Sequence, residues 1–191
     1  VTQFICGLDE AGRGPLAGPV VAAAAVLPED FPVDLLDDSK KLTEKRRERA
    51  MVAVYEGALA WGIGWASPAE IDRINILQAS LLAMRRAFAY IRVPVAEAIV
   101  DGLHDPDLGV PTRSLARADA TFPSVMAASV LAKTARDRMM VRYSWIYPEY
   151  AYEKHKGYPT KEHLRLIALH GPSPIQRESF RIGGADQLPL F

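Results

Sequence analysis

Cysteine is almost absent from this chain: Cys6 stands alone among 191 residues, so no disulfide can form within it, and a cytoplasmic address is the default expectation. Long apolar runs are missing as well. No stretch approaches the ~18 uncharged apolar residues of a membrane span, and the first residues lack the basic-then-apolar pattern of a secretion signal. A surplus of either charge is also lacking. Lys plus Arg number 23 and Asp plus Glu number 23, so no global basic field advertises a polyanionic partner. Four histidines and the one cysteine show no zinc-ligand spacing. Internal repeats and low-complexity linkers are absent too. What is present is ordinary for one globular domain: 49% hydrophobic and 24% charged residues, on a chain long enough to bury a sizeable core.

The neutral sum hides an uneven distribution. Between 133 and 165, Lys133, Arg136, Arg138, Arg142, Lys154, Lys156, Lys161 and Arg165 stand against only Asp137, Glu149, Glu153 and Glu162. A local basic surface is therefore available, while acids elsewhere are free to gather in a site.

Phe4 to Leu8 is short, apolar and then abruptly acidic, the pattern of a buried strand ending at Asp9-Glu10. Val20 to Leu27 reads as a second strand pairing with the first, although its alanine run leaves a helix open. Trp61 to Ala66 is a third strand. Thr43 is placed to cap a helix running to about Glu56, and Ile76 to Ile91 has helical spacing through Leu77, Leu81, Met84 and Phe88. Ala96 to Val100 resembles a parallel strand ending at Asp101-Gly102, and Val110 to Leu115 another strand. Pro123 to about Ile146 is a long helix, and Thr160 to Leu169 a shorter one closed by Gly171-Pro172. This order predicts an α/β fold: a mixed β-sheet flanked by helices, with a mostly helical C-terminal part.

Acids at strand ends can be held rigidly while pointing into a cleft, as binding of a hard cation requires. Asp9-Glu10 and Asp101 both stand at such ends, and on parallel neighbouring strands they would share one edge of the sheet. The bland alternative for each is a solvated strand end. Asp119, a few residues before the long helix, reads on spacing alone as a helix-terminal acid complementing the dipole, or else as a fourth carboxylate of the site. Asp137, between Arg136 and Arg138, reads as an ion-pair partner. Gly12-Arg13-Gly14 offers backbone that a phosphate or a ribose hydroxyl can approach, or simply a tight turn. Ser39-Lys40-Lys41 is either a phosphate contact or a solvated stretch.

Several blocks, taken together, carry a resemblance. Gly7-Leu8-Asp9-Glu10-Ala11-Gly12-Arg13-Gly14-Pro15 with Gly18-Pro19 looks like the opening signature of the type 2 ribonucleases H, specifically bacterial ribonuclease HII. Asp38-Ser39-Lys40-Lys41-Leu42 is similar to that family's next block. Ala127 to Lys133 with Arg136-Asp137 resembles its long-helix block. His155-Lys156-Gly157-Tyr158-Pro159-Thr160, His163-Leu164, Gly171-Pro172 and Arg177-Glu178-Ser179-Phe180 resemble the closing one. An ordered set across nearly the whole chain is far more specific than one short motif. Two departures stand out: Ala118 precedes Asp119 where the family usually has glycine, and Gln176 stands where a histidine is common.

The resemblance implies a ribonuclease H-like catalytic domain over residues 1–182, followed by a flexible tail over 183–191. It implies that Asp9, Glu10, Asp101 and Asp119 bind two catalytic ions, Mg²⁺ or Mn²⁺, which overturns the helix-terminal preference for Asp119. Backbone at Gly12, Arg13 and Gly14 would read the ribose 2′-hydroxyl beside the cut, and Tyr158 would stack on the following sugar. Ser39, Lys40 and Lys133 would be phosphate or structural contacts. The implied reaction is hydrolysis on the 5′ side of ribonucleotides embedded in or joined to DNA, leaving 3′-hydroxyl and 5′-phosphate ends, by a chain acting as a monomer. A DNA resolvase of the same fold would need no 2′-hydroxyl sensor, and a catalytically silent binding module would be expected to lack a carboxylate. The tail ends Gln187-Leu188-Pro189-Leu190-Phe191, which resembles the short peptides that dock bacterial sliding clamps; Gln187, Leu188, Leu190 and Phe191 would be the contacts. A frayed tail is the alternative there.

Overall fold

A computed structural model of the chain describes residues 3–36 and 43–181. Its centre is a five-stranded mixed sheet of strands β1 (Phe4–Ala11), β2 (Val20–Val26), β3 (Ala60–Ala66), β4 (Val95–Asp101) and β5 (Thr112–Leu115), in the order β3-β2-β1-β4-β5. β1 runs antiparallel to β2, as β2 does to β3, whereas β4 is parallel to both β1 and β5. The helices are α1 (Glu44–Gly57), α2 (Pro68–Phe88), α3 (Pro123–Ile146), the single turn α4 (Tyr152–His155) and α5 (Lys161–His170). The expected mixed α/β architecture and helical C-terminal part are both present.

The alanine run is strand, and its composition follows from burial on both faces. Val20, Ala22, Ala24 and Val26 face the cluster built on α2, while Ala23 and Ala25 face α1 and α3. Small side chains let helices pack closely on either side of one strand. Gly64 of β3 takes this further: a Cβ there would lie 2.3 Å from the Ala83 carbonyl oxygen and 2.5 Å from the Ala87 nitrogen of α2.

Most boundaries shift by one to three residues, and two departures carry structural meaning. The first strand does not stop at the acids but continues to Ala11, because β2 pairs with it through Ala11↔Val21. Asp9 and Glu10 therefore sit on the ladder, which holds their backbone more firmly than a loop would. The second helix starts at Pro68 rather than Ile76. Ser67 and Glu70 form a capping box with Pro68 in the first turn. The helix is interrupted at Asn75 (φ 67°), whose side chain accepts a hydrogen bond from the Gln78 amide, and Ile76 marks its resumption.

Candidate active site

Asp9 and Asp101 are brought together by strand register. β1 and β4 pair in parallel with Leu8 opposite Val100, so one residue further on the two aspartates lie side by side. Alternation decides the face. Leu8 and Val100 point into the α2 core, whereas Ile99 packs with Val125 of α3, so Asp101, two residues after Ile99, points to the α3 side. Asp119 arrives from a different element, the 3₁₀ turn Ala118–Ala120 that leads into α3. That turn is fastened to the sheet by the Ala118 amide, which donates to Asp101 Oδ1 at 2.8 Å. Arg117 before it takes a left-handed conformation (φ 61°), a strain of order 1 kcal/mol or more for a residue with a Cβ. One carboxylate oxygen from each of Asp9, Asp101 and Asp119 lies within 4.8 Å of the other two.

Glu10 is the next residue along the strand, so alternation turns it away from Asp9. It still lines the same cleft, and its carboxylate pairs with Arg13 at 3.3 Å. The cleft has a volume of about 430 Å³ and is bordered by all three residues of Gly12-Arg13-Gly14, by Ser129 and Lys133 of α3, by Arg47 of α1 and by Tyr158. The structure thus gathers Asp9, Asp101 and Asp119 in one cluster, with Glu10, Gly12, Arg13, Gly14, Lys133 and Tyr158 on the walls around it. Ser39, Lys40 and the tail residues 187–191 lie outside the described residues.

The electrostatics reflect concentrated negative charge with little water. Burial pushes the Asp9 carboxyl well above the usual carboxylate range, and the charges of Glu10 and Asp101 add to the shift. A hydrogen bond from Ser129 and one from the Glu10 amide oppose it. Glu10 is also raised by burial, against the pull of Arg13. Asp9 is 5% and Asp119 9% exposed. Like charges at such spacing repel unless a cation joins them. Three oxygen donors with neither sulfur nor imidazole among them suit a hard divalent ion. Cys6 is buried in the α2 core, and His155 and His163, which stack on each other at 4.3 Å, do not line the cleft.

Asp137 forms the ion pairs expected of it, with Lys133 at 2.8 Å and Arg47 at 3.4 Å. Lys133, assigned to phosphate or structure, is therefore held by Asp137, and its ammonium lies 6.0 Å from the centre of the Tyr158 ring. Four participants went unassigned from sequence. Ser129 stood within a quoted block but had no role, Arg47 looked like one of several helix-surface cations, and the buried arginines Arg136 and Arg177 gave no signal of their environment.

A carboxylate cluster at the carboxyl ends of two parallel strands in a mixed sheet, beside the start of a central helix, is suited to holding a divalent cation on an α/β scaffold. Comparison with known proteins narrows this. The ribonuclease HII family model matches residues 6–182. A ribonuclease HII from Treponema denticola is 54% identical over 193 aligned positions, covering 93% of this chain and 98% of that protein. Among solved structures, ribonuclease H2 from Pyrococcus horikoshii superposes with a TM-score of 0.78 at 27% identity, covering 94% of this chain and 95% of that one. The ribonuclease HII of a PCNA complex from Archaeoglobus fulgidus gives 0.78 at 23% identity over 93% and 95%, a likeness of fold. The chain belongs to the ribonuclease HII family. It is accordingly a hydrolase acting on RNA in RNA–DNA hybrids, with a divalent metal as cofactor. Among the described residues no helix is long and apolar enough to cross a membrane.

Proposed function

We propose that the chain incises the phosphodiester on the 5′ side of a ribonucleotide embedded in or joined to DNA, with Asp9, Glu10, Asp101 and Asp119 holding two divalent ions, Mg²⁺ or Mn²⁺. The observation that carries this is the shared cleft: the aspartate cluster opens directly onto Gly12-Arg13-Gly14 and Tyr158. When bound, the ions would supply Lewis-acid activation of water and stabilisation of the leaving 3′-oxygen. The chain's own residues do the rest. Ser129 orients the Asp9 carboxylate, the Ala118 amide orients that of Asp101, and Arg13 beside Glu10 offers positive charge to a phosphate. The amides of the glycine loop present donors to a 2′-hydroxyl, and Tyr158, 40% exposed, offers a ring face to the neighbouring sugar. Such a sensor is superfluous in an enzyme that cuts only DNA.

The test is a duplex with one embedded ribonucleotide, assayed with Mg²⁺ and with Mn²⁺. The intact chain is expected to nick it once, 5′ to the ribose, and Asp9→Asn to lose at least 10³-fold in rate, as expected for loss of a group acting at the reacting centre. No incision by the intact chain, or full activity in the variant, overturns the assignment. Residues 1–182 are proposed as the catalytic unit, and Gln187 to Phe191 as a peptide that docks a sliding clamp through Gln187, Leu188, Leu190 and Phe191. Deleting those five residues should abolish clamp binding and leave hydrolysis of a short duplex unchanged. Undiminished clamp affinity would remove that role.

A further inference from the structure

Two arginines are among the most buried side chains of the protein. Arg136 is 1% exposed and Arg177 fully buried, and among the described residues neither guanidinium forms an ion pair. Each spends its donors on backbone carbonyls instead. Arg177 donates through Nη2 to the Gly12 oxygen at 2.6 Å, through Nη1 to that of Arg13 at 3.0 Å and through Nε to that of Gly18 at 2.9 Å. Arg136 donates through Nε to the Pro19 oxygen at 3.1 Å, through Nη2 to that of Ala17 at 3.2 Å and through Nη1 to that of Lys156 at 3.0 Å. Burying a guanidinium is costly, and without a carboxylate the cost is offset only by satisfied hydrogen bonds. The arrangement holds one loop: five carbonyls between Gly12 and Pro19, and one more in the segment that carries Tyr158.

Peptide geometry gives this grip a consequence. In a trans peptide the C=O of one residue and the N–H of the next point in opposite directions. Arg177 draws the carbonyls of Gly12 and Arg13 toward itself, so the amides of Arg13 and Gly14 are turned away from it, and both residues border the cleft. Gly12 is required because the guanidinium lies against it: a Cβ there would stand 1.9 Å from Arg136 Nε, and φ is +96°. The same guanidinium lies 5.8 Å from the centre of the Tyr158 ring. Arg177 is itself fastened in place. Its amide donates to the Leu16 carbonyl, the Phe180 ring stacks 4.9 Å from its guanidinium, and Asp72 accepts the amides of Glu178 and Ser179 just beyond it.

We infer that Arg177 and Arg136 are the positioning residues for ribose discrimination: the buried pair aims the Arg13 and Gly14 amides at the 2′-hydroxyl and ties that loop to the Tyr158 segment. This rests on the ribose-reading role proposed above for the glycine loop. Both remain charged at neutral pH, since burial lowers them only to about 10 for Arg136 and about 9 for Arg177. Lysine could keep the charge at either position but not the fork that grips several carbonyls at once.

The experiment measures binding in the inactive Asp9→Asn background, in EDTA at fixed ionic strength. It compares a duplex carrying one ribonucleotide with the same duplex in DNA alone. The readout is the ratio of the two affinities, which is unaffected by the folded fraction of a weakened variant. Adding Arg177→Lys should cut the ribose preference at least fivefold while the affinity for the DNA duplex changes less than twofold. Arg136→Lys, measured in the same way, should do the same and stands in if the first variant folds poorly. A preference that survives both substitutions, or affinities that fall equally for both duplexes, overturns the inference and leaves the ribose-reading role standing. No preference in the Asp9→Asn parent overturns that role, and the inference with it.

Discussion

Replacing Asp101 by Asn separates the cost of the site from its use. Asn keeps the Oδ1 acceptor that holds the Ala118 amide at 2.8 Å, so the turn carrying Asp119 stays anchored, and only the charge is removed. Two full charges at the 4.8 Å limit of the cluster repel by about 3.5 kcal/mol at an effective dielectric constant of about 20. Part of this is already relieved because burial and its neighbours favour the protonated Asp9 carboxyl, and water screens the half-buried Asp101. The expected net gain in metal-free stability is about 1 to 3 kcal/mol, a rise of roughly 3 to 10 °C in melting temperature for a chain of this size. Activity should fall at least 10³-fold. Divalent ions should raise the melting temperature of the intact protein by mass action and that of Asp101→Asn much less. The assay is thermal unfolding in EDTA and in millimolar Mg²⁺ or Mn²⁺, beside incision of the single-ribonucleotide duplex. A variant that melts lower in EDTA, or that gains as much from the ion as the parent, would refute the view that like-charge repulsion dominates this cluster.

Two further perturbations probe the scaffold. Gly64→Ala drives a methyl group into the α2 backbone at Ala83 and Ala87. It should cost about 1 to 3 kcal/mol by overpacking while leaving the turnover rate unchanged, since the cleft lies on the α3 side of the sheet; a lowered rate at full folding would show that the two faces are coupled. His163 is fully buried, and burial followed by the neighbouring His155 lowers its pKa to about 4. The unfolded chain binds the proton more readily, so the neutral-His163 contribution is complete above about pH 6.5 and is lost as pH falls toward 4, by up to about 3 kcal/mol. Urea unfolding from pH 7 to pH 4 should show this slope, and His163→Gln should flatten it; an unchanged slope would assign the acid sensitivity to other groups.

Much of this was legible because its causes are local. The cap Thr43, the start of the shorter helix at Thr160 and that of the long helix at Pro123 fall close to where the sequence puts them, because caps and turn residues act on their nearest neighbours. Hydrophobic pattern placed Asp9 and Asp101 on neighbouring strands, although β1 runs on past Asp9 to Ala11, and their meeting required only that the strands be parallel. Asp119 is different. Its proximity to the other two depends on a left-handed residue, a 3₁₀ turn and a hydrogen bond from the Ala118 amide to Asp101, none of which has a periodic signature; only the family blocks pointed to it. The early helix start at Pro68 was legible in Ser67-Pro68-Ala69-Glu70 but was obscured by the break at Asn75, which divides the apolar pattern that marks the helix.

Arg136 and Arg177 show the limit most clearly. An arginine in sequence implies an exposed cation, because burial without a countercharge is unfavourable, and residues 133–165 accordingly read as a basic surface. The structure turns Arg136 inward, since the loop between Gly12 and Pro19, whose one isolated bridge among the described residues is Ala17↔Gln176, leaves its carbonyls in need of donors. The carboxylates stand on strands and a turn held by neighbouring backbone, so they need little further support. A recognition loop made of glycines is rigid only if something outside it grips the main chain. On the proposed roles, the demand for cutting is met by the sheet, and the demand for choosing what to cut by buried cations more than a hundred residues away in sequence.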